Sequence, residues 1–352
     1  MTMLAKNDSL LKTTLKTTAL CLFPMLFYTQ NAQAEGKLTV YCSVQNVTCE
    51  KVTKRFAEKY HVDTQFVRNS TGTVLGKIKA EKDNPQADVW FGGTFEPHLQ
   101  AADQGLLAVY RSPLQKDIMP QFKKLMDERG DYTSIIYLME VAIGVNTEKL
   151  KQLNIPEPKC FADLLKPEFK NQIQYADPRV SGTGYSFLTT LVQLWGEEKA
   201  FDFLKALHPN VSQYTKSGVT PSRNAARGET AVGIGFLHDY ALEKRQGAPL
   251  ELVVPCEGTG YELGGVSILK GARNIDNAKL FVDWALSKEG QELAWKQGES
   301  LQILTNTTAE QSPTAFDPNK LNLINYDFEK YGATEQRKAL IEKWVQDVKL
   351  AK

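Results

Sequence analysis

Two short stretches, Asn69-Ser70-Thr71-Gly72-Thr73 and Val180-Ser181-Gly182-Thr183-Gly184, constrain this chain more than any other feature. Each follows a strand-like or turn-like run and opens a helix-like one, Val74 to Ile78 and Tyr185 to Leu188. Small hydroxyl and glycine residues at a helix start leave the first backbone N–H groups unpaired, and the helix dipole adds partial positive charge there. Such a loop suits an anion. A single Ser or Thr in this position is as readily an ordinary helix cap. Two such loops, about a hundred residues apart, predict two lobes gripping one oxyanion between them.

The surrounding pattern reads as strand, loop and helix in repetition. Lys37 to Tyr41 alternates as a strand and enters the polar Cys42-Ser43 turn, and Val47 to Tyr60 carries Val52, Phe56 and Tyr60 on one helical face. Val62 to Val67 is a second strand, a helix spans Thr73 to Lys82, and Ala87 to Phe91 is a buried strand ending in Gly92-Gly93-Thr94. This order predicts a largely parallel sheet with polar loops at the strand ends, where ligands collect. Ile135 to Val145 is a long apolar strand at which the chain crosses to its second lobe. Helices at about 185–207 and 222–228, with strands at 231–236 and 250–255, build that lobe. The run Tyr261 to Leu269 returns to the first lobe, and Ile341, Trp344 and Val348 mark a closing amphipathic helix.

The first 34 residues are expected to be removed rather than folded. A basic start (Lys6, Lys12, Lys16), an apolar run from Thr17 to Tyr28 and Ala32-Gln33-Ala34 form a secretory leader with cleavage after Ala34. The residue before Cys21 is Leu20, where lipid modification calls for a small one, so a soluble, released protein is expected, in the periplasm of a Gram-negative bacterium. The chain carries +1, and the leader's three Lys and one Asp account for +2, leaving −1 for the rest. Such a balance argues against nucleic acid or an anionic membrane as partner, so anion selectivity must come from local donors. Four cysteines remain, Cys42, Cys49, Cys160 and Cys256, and in an oxidising compartment they allow three disulfide connectivities. Cys42–Cys49 with Cys160–Cys256 is preferred because each bridge then stays within one lobe. Zinc is the competing use, although the spacing matches no zinc ribbon.

Five segments together resemble the bilobal solute-binding proteins of ABC importers, especially the ferric-ion-binding group and its AfuA-type sugar-phosphate (hexose-phosphate) binders. They are Leu38 to Tyr41, Ala87 to Phe91, Ala142 to Thr147, Ala176-Asp177-Pro178 with Ser181 to Gly184, and Gly264 to Ala272. The resemblance implies a type II-like periplasmic-binding-protein fold, two α/β lobes joined by a two-strand hinge. Lobe 1 would comprise 35–139 with 264–320, lobe 2 would comprise 140–263, and 321–352 would be a helical segment packed on a lobe. For the phosphate it implies Ser43, Thr71, Gly72, Thr73, Ser181, Gly182 and Thr183, and for the sugar it implies His238, Asp239 and Glu262. Gly93 and Thr94 would add a wall or a donor. Arg179 would add a charged contact, or else cap a helix or pair with Asp177.

The adjacent tyrosines with which ferric-binding relatives hold iron are missing, so bare iron is the alternative cargo rather than the first. No cofactor or resident metal is expected. Partners are the small phosphorylated ligand and membrane permease subunits, with the protein itself a monomer. Enzymatic readings find little support. Ser267-Ile268-Leu269-Lys270 matches S-x-x-K but lies in a strand-like run without companion motifs, and neither G-x-S-x-G nor H-E-x-x-H occurs.

Overall fold

The protein is described here by a computed structural model covering residues 36–316 and 321–350. The leader and its Ala34 cleavage site lie outside the described residues. Alternating apolar residues give the first strands, β1 (Lys37–Cys42), β2 (Asp63–Arg68) and β3 (Val89–Phe91). They are followed by β4 (Ser134–Asn146), β5 (Ile173–Ala176), β6 (Val211–Thr215), β7 (Val232–Phe236) and β8 (Leu250–Val253). The last two are β9 (Tyr261–Ile268) and β10 (Ile303–Leu304). The spatial order is β2-β1-β3-β9-β4-β7-β5-β6, with β8 and β10 also paired to β4.

Parallel pairing dominates at the two ends: β1 runs with β2 and β3, and β5 runs with β6 and β7. The largely parallel sheet expected from the sequence stops at the centre. There β4 is antiparallel to β7, β8, β9 and β10, and β9 is antiparallel to β3. The reason lies in the connectivity. One strand leaves the first α/β layer and the other returns to it, so when paired they point in opposite directions. All 13 residues of β4 are buried. Its first half pairs with β9, and its second half pairs with β7 and β8, so a single strand serves both lobes.

Helix breaks follow local chemistry. One helix was expected over about 185–207. Gly196, at φ +82°, instead separates Gly182–Trp195 from Glu197–Leu207, a conformation open to glycine at little cost. The closing helix, Thr334–Trp344, buries Arg337, Leu340 and Trp344, with Val348 buried just beyond it. The indole N–H of Trp344 donates to the Tyr175 hydroxyl at 3.1 Å. The C-terminal segment touches both halves, since Glu329 pairs with Arg129 at 2.5 Å and Lys343 with Glu197 at 2.8 Å.

Both preferred disulfides are present, Cys42–Cys49 and Cys160–Cys256, at sequence separations of 7 and 96. These bonds consume the thiolates that zinc would need. The shorter bridge brackets Ser43-Val44-Gln45 and so limits the freedom of that loop.

Candidate anion-binding cleft

The loops at the ends of β1, β2 and β3 face the loops after β5 and β7 across a cleft. Ser43, Thr71, Gly93 and Thr94 line one side, Ser181, Gly182, Thr183, His238 and Asp239 the other, and Met139 of β4 lies among the lining residues. The helix Thr71–Ala80 begins on the first side and Gly182–Trp195 on the second. Each therefore directs its unpaired first-turn N–H groups toward the shared gap. Ser70 does not cap its helix; its hydroxyl donates across the cleft to the Lys216 carbonyl at 3.1 Å. Ser181 does act as a cap, accepting from the Gly184 N–H at 3.5 Å.

Hydroxyl orientation is set by the layer behind. Trp90 stacks on His98 with ring centroids 3.8 Å apart, and its indole N–H donates to Ser43 Oγ at 3.0 Å. With that acceptor role filled, the Ser43 O–H is left to donate into the cleft. His98 Nδ1 meets Ser267 Oγ at 2.8 Å, and complete burial holds its ring neutral, its pKa pushed down to about 3. The Tyr137 hydroxyl accepts from the Gly93 N–H at 2.7 Å and donates to the Gly93 carbonyl at 3.2 Å, which pins the Gly93-Thr94 turn. Gly93 has φ +87°, and a Cβ there would stand 2.4 Å from Thr71 Oγ1. No other residue fits without moving the cradle.

The two walls already touch. Gln45 donates to Asp239, and Arg68 Nη2 donates to Ser217 Oγ at 3.3 Å. A Cβ on Gly182 would lie 2.2 Å from Thr94 Oγ1 on the opposite wall. A Gly182→Val variant is therefore expected to keep its fold, read by circular dichroism, yet fail to close. Small-angle scattering should show a larger radius of gyration with added ligand than the parent gives, and equal radii would refute the role of this contact.

Among the described residues, three buried polar atoms in the cleft lack partners: Thr94 Oγ1, Gln45 Oε1 and His238 Nδ1. Unpaired buried groups of this kind cost roughly 1–3 kcal/mol each unless something polar meets them. Burial lowers the pKa of His238, opposed by Asp239, whose Oδ1 is 3.4 Å from His238 Nε2.

Arg68, at the end of β2, lines the cleft and was missed by sequence reasoning. Its Nε donates to the Val44 carbonyl at 3.0 Å, and among the described residues no carboxylate pairs with it. Its pKa is lowered by burial and then by Arg223, with Asp239 opposing. The cue in the sequence was its position immediately before the first Ser/Thr/Gly loop.

Four expected site residues stand elsewhere. Glu262, on β9, is fully buried and does not line the cleft. Its carboxylate accepts from Leu263 N at 2.8 Å, Ser186 Oγ at 3.1 Å and Phe95 N at 3.2 Å. It thus ties the helix Phe95–Asp103 to Gly182–Trp195. Burial and the nearby Glu96 raise its pKa well above the usual carboxylate range. Arg179 forms an ion pair with Asp177 at 2.7 Å and faces a separate groove. Gly72 faces that groove as well, on the far side of its own loop, and Thr73, the next residue, is exposed and lines neither cleft nor groove.

A cleft between two α/β lobes, crossed by paired strands and lined from both sides, is the architecture of a protein that closes on a solute. Residues 84–330 match the family of bacterial extracellular solute-binding proteins. The chain belongs to that family. A Haemophilus influenzae protein of uncharacterized function is 70% identical over 92% of this chain and 93% of its own. The periplasmic binding protein AfuA from Actinobacillus pleuropneumoniae, solved with exogenous fructose-6-phosphate bound, is 64% identical with a TM-score of 0.88. That match covers 90% of this chain and all of AfuA, 100%. The periplasmic binding protein P5PA is 55% identical with a TM-score of 0.87, over 89% of this chain and 100% of its own. The AfuA-type resemblance and the bilobal fold expected from the sequence are thereby borne out. Ferric-binding proteins, at 21% identity or below among those compared, share the fold alone. Solute-binding proteins of this family deliver a small ligand to ABC importers, and AfuA and P5PA are both periplasmic binding proteins.

Proposed function

We propose that this solute-binding protein, exported and released after Ala34, captures a phosphorylated sugar, a hexose 6-phosphate, and hands it unchanged to its permease. The observation that carries the reading is Arg68, a guanidinium without a carboxylate partner in a cleft flanked by two helix starts. A site that supplies positive charge and N–H donors from both walls favours a ligand with a compact anionic end. Ser43, Thr71, Ser181, Gly182 and Thr183 form the cradle, with Gly93 and Thr94 on its rim. Thr94 Oγ1 donates to the same anion, and Gly72 contributes to the loop's shape.

The other end of the ligand must be rich in hydroxyls. Asp239 accepts from two O–H groups once Gln45 gives way, while His238 Nδ1 and Gln45 Oε1 acquire their missing partners. Glu262 supports this end by holding Ser186 and the Phe95 backbone together across the lobes. Closure is favoured only when ligand satisfies both walls at once. AfuA, with fructose-6-phosphate bound, supports the choice of ligand class.

Calorimetric titration of the ligand-stripped protein with glucose 6-phosphate and fructose 6-phosphate, with ferric citrate in parallel, tests the reading. Stoichiometric heat with either sugar phosphate and none with iron is expected; the reverse would overturn it. Asp239→Ala is expected to weaken sugar-phosphate binding at least about tenfold, since a charged acceptor is worth roughly 1.5–3 kcal/mol. Equal affinity in parent and variant would take Asp239 out of the site.

A further inference from the structure

On the far side of the Gly72–Val180 contact lies a second groove, back to back with the cleft. A Cβ on Gly72 would stand 3.0 Å from the Val180 carbonyl oxygen, so the two loops form a thin partition there. The groove runs between the helix Thr71–Ala80, the turn of Arg179 and the helix Thr334–Trp344, with Gln100 also among its lining residues. Lys79, Arg179, Arg337 and Lys338 contribute four positive charges to its lining, against the single carboxylate of Glu342.

Among the described residues Arg179 pairs with Asp177, and the buried carboxylates of Glu96 and Glu262 attract Arg337 from behind without an ion pair. Among the described residues Lys79 and Lys338 form no ion pair. Arg337 is 5% exposed, lies over the Tyr185 ring at 4.1 Å and donates from Nη2 to the Pro178 carbonyl at 3.3 Å, while its Nη1 has no hydrogen-bond partner among the described residues. Gln100 is 2% exposed, and its Nε2 also lacks a partner. Two deeply buried donors without acceptors, in a groove whose rim is cationic, call for an acceptor that carries negative charge.

We propose that this groove is a second oxyanion site, taking a free phosphate or small carboxylate separate from the solute held in the cleft. The anion accepts from Gln100 Nε2 and Arg337 Nη1, with Lys79 and Lys338 closing over it. Its walls include Gly72 of the first Ser/Thr/Gly loop and Arg179 just ahead of the second, so an anion there braces the bases of the two loops that close on the solute. The same chemistry is available from an acidic side chain of a docking permease, and the experiment separates the two sources.

Inorganic phosphate is titrated into the isotope-labelled protein at constant ionic strength, with the Gln100 side-chain amide and the Arg337 Nε–H followed by NMR. The Arg68 Nε–H serves as the separate reporter of the cleft, so the outcome does not depend on which solute the cleft prefers. Saturable shifts at Gln100 and Arg337 are expected, weakened at least about tenfold in Lys79→Glu/Lys338→Glu while the Arg68 response persists. Shifts confined to Arg68, or linear shifts that the double variant leaves unchanged, overturn the proposal. Loss of permease-dependent uptake by the double variant without any saturable phosphate response also overturns it, and would assign the groove to an acidic side chain of the permease.

Discussion

Replacing Arg68 by methionine is expected to weaken binding of a hexose 6-phosphate by roughly 10- to 100-fold, the cost of a charge-assisted hydrogen bond at about 1.5–3 kcal/mol. The fold should tolerate the change. Arg68 is half-buried at the end of an edge strand, its contacts are the Val44 carbonyl and the Ser217 hydroxyl, and methionine retains the apolar stem. Burial and Arg223 disfavour its charge in the unliganded cleft, a cost that an anion relieves when it arrives. The loss should appear in Kd for phosphate esters and shrink as salt is raised in the parent protein. A calorimetric Kd unchanged from the parent would remove Arg68 from the phosphate site and leave the cradle to backbone donors alone.

A second large effect concerns stability rather than binding. Glu140 lies on β4 at the point where its pairing passes from one lobe to the other, is 2% exposed, and has Oε1 without a partner. Burial pushes its pKa up from 4.5 to about 8, opposed by a backbone hydrogen bond. The folded state therefore holds this proton more tightly than the unfolded state. Its stabilising contribution is fully present below about pH 4.5 and is lost as pH rises through about 8. At about 1.4 kcal/mol per pKa unit the loss approaches ~5 kcal/mol, an upper bound. Glu140→Gln keeps the shape and removes the titration. It is expected to flatten the fall in Tm between about pH 5 and 8, and to raise Tm by roughly 5 °C near pH 8.5. Parallel Tm-against-pH curves for parent and variant would show that Glu140 titrates normally.

The element pattern was legible because it is short-range. Leu38, Val40 and the alternation around them specify β1, and Val52 and Phe56 specify the helix Asn46–Tyr60, since one face of each must leave water. The two anion-type loops were legible for the same reason: a helix start exposes N–H groups whatever surrounds it. Even so, boundaries moved by a residue or two, and Gly196 divided what periodicity read as one helix. The antiparallel centre of the sheet was not visible, because strand direction there depends on two segments more than a hundred residues apart meeting.

Arg179 and Arg68 show where local reading ends. Each lies just ahead of a Ser/Thr/Gly loop, and from the sequence either is an equally good charged contact for an anion. In the folded protein Asp177, two residues away, takes Arg179, and the chain turns it toward the outer groove. Among the described residues Arg68 forms no ion pair, and it lines the cleft with its charge left for a ligand. Glu262 follows the same rule in reverse. A carboxylate beside a Gly-Gly pair looked open to a ligand, but the approach of Phe95 and Ser186 from both lobes claimed its oxygens. The sequence by itself determined which backbone groups would be left without partners, since helix starts and strand ends are set by neighbouring residues. Only the tertiary structure decided which side chains would meet them, because charges and hydroxyls pair with whatever folding brings within hydrogen-bonding distance.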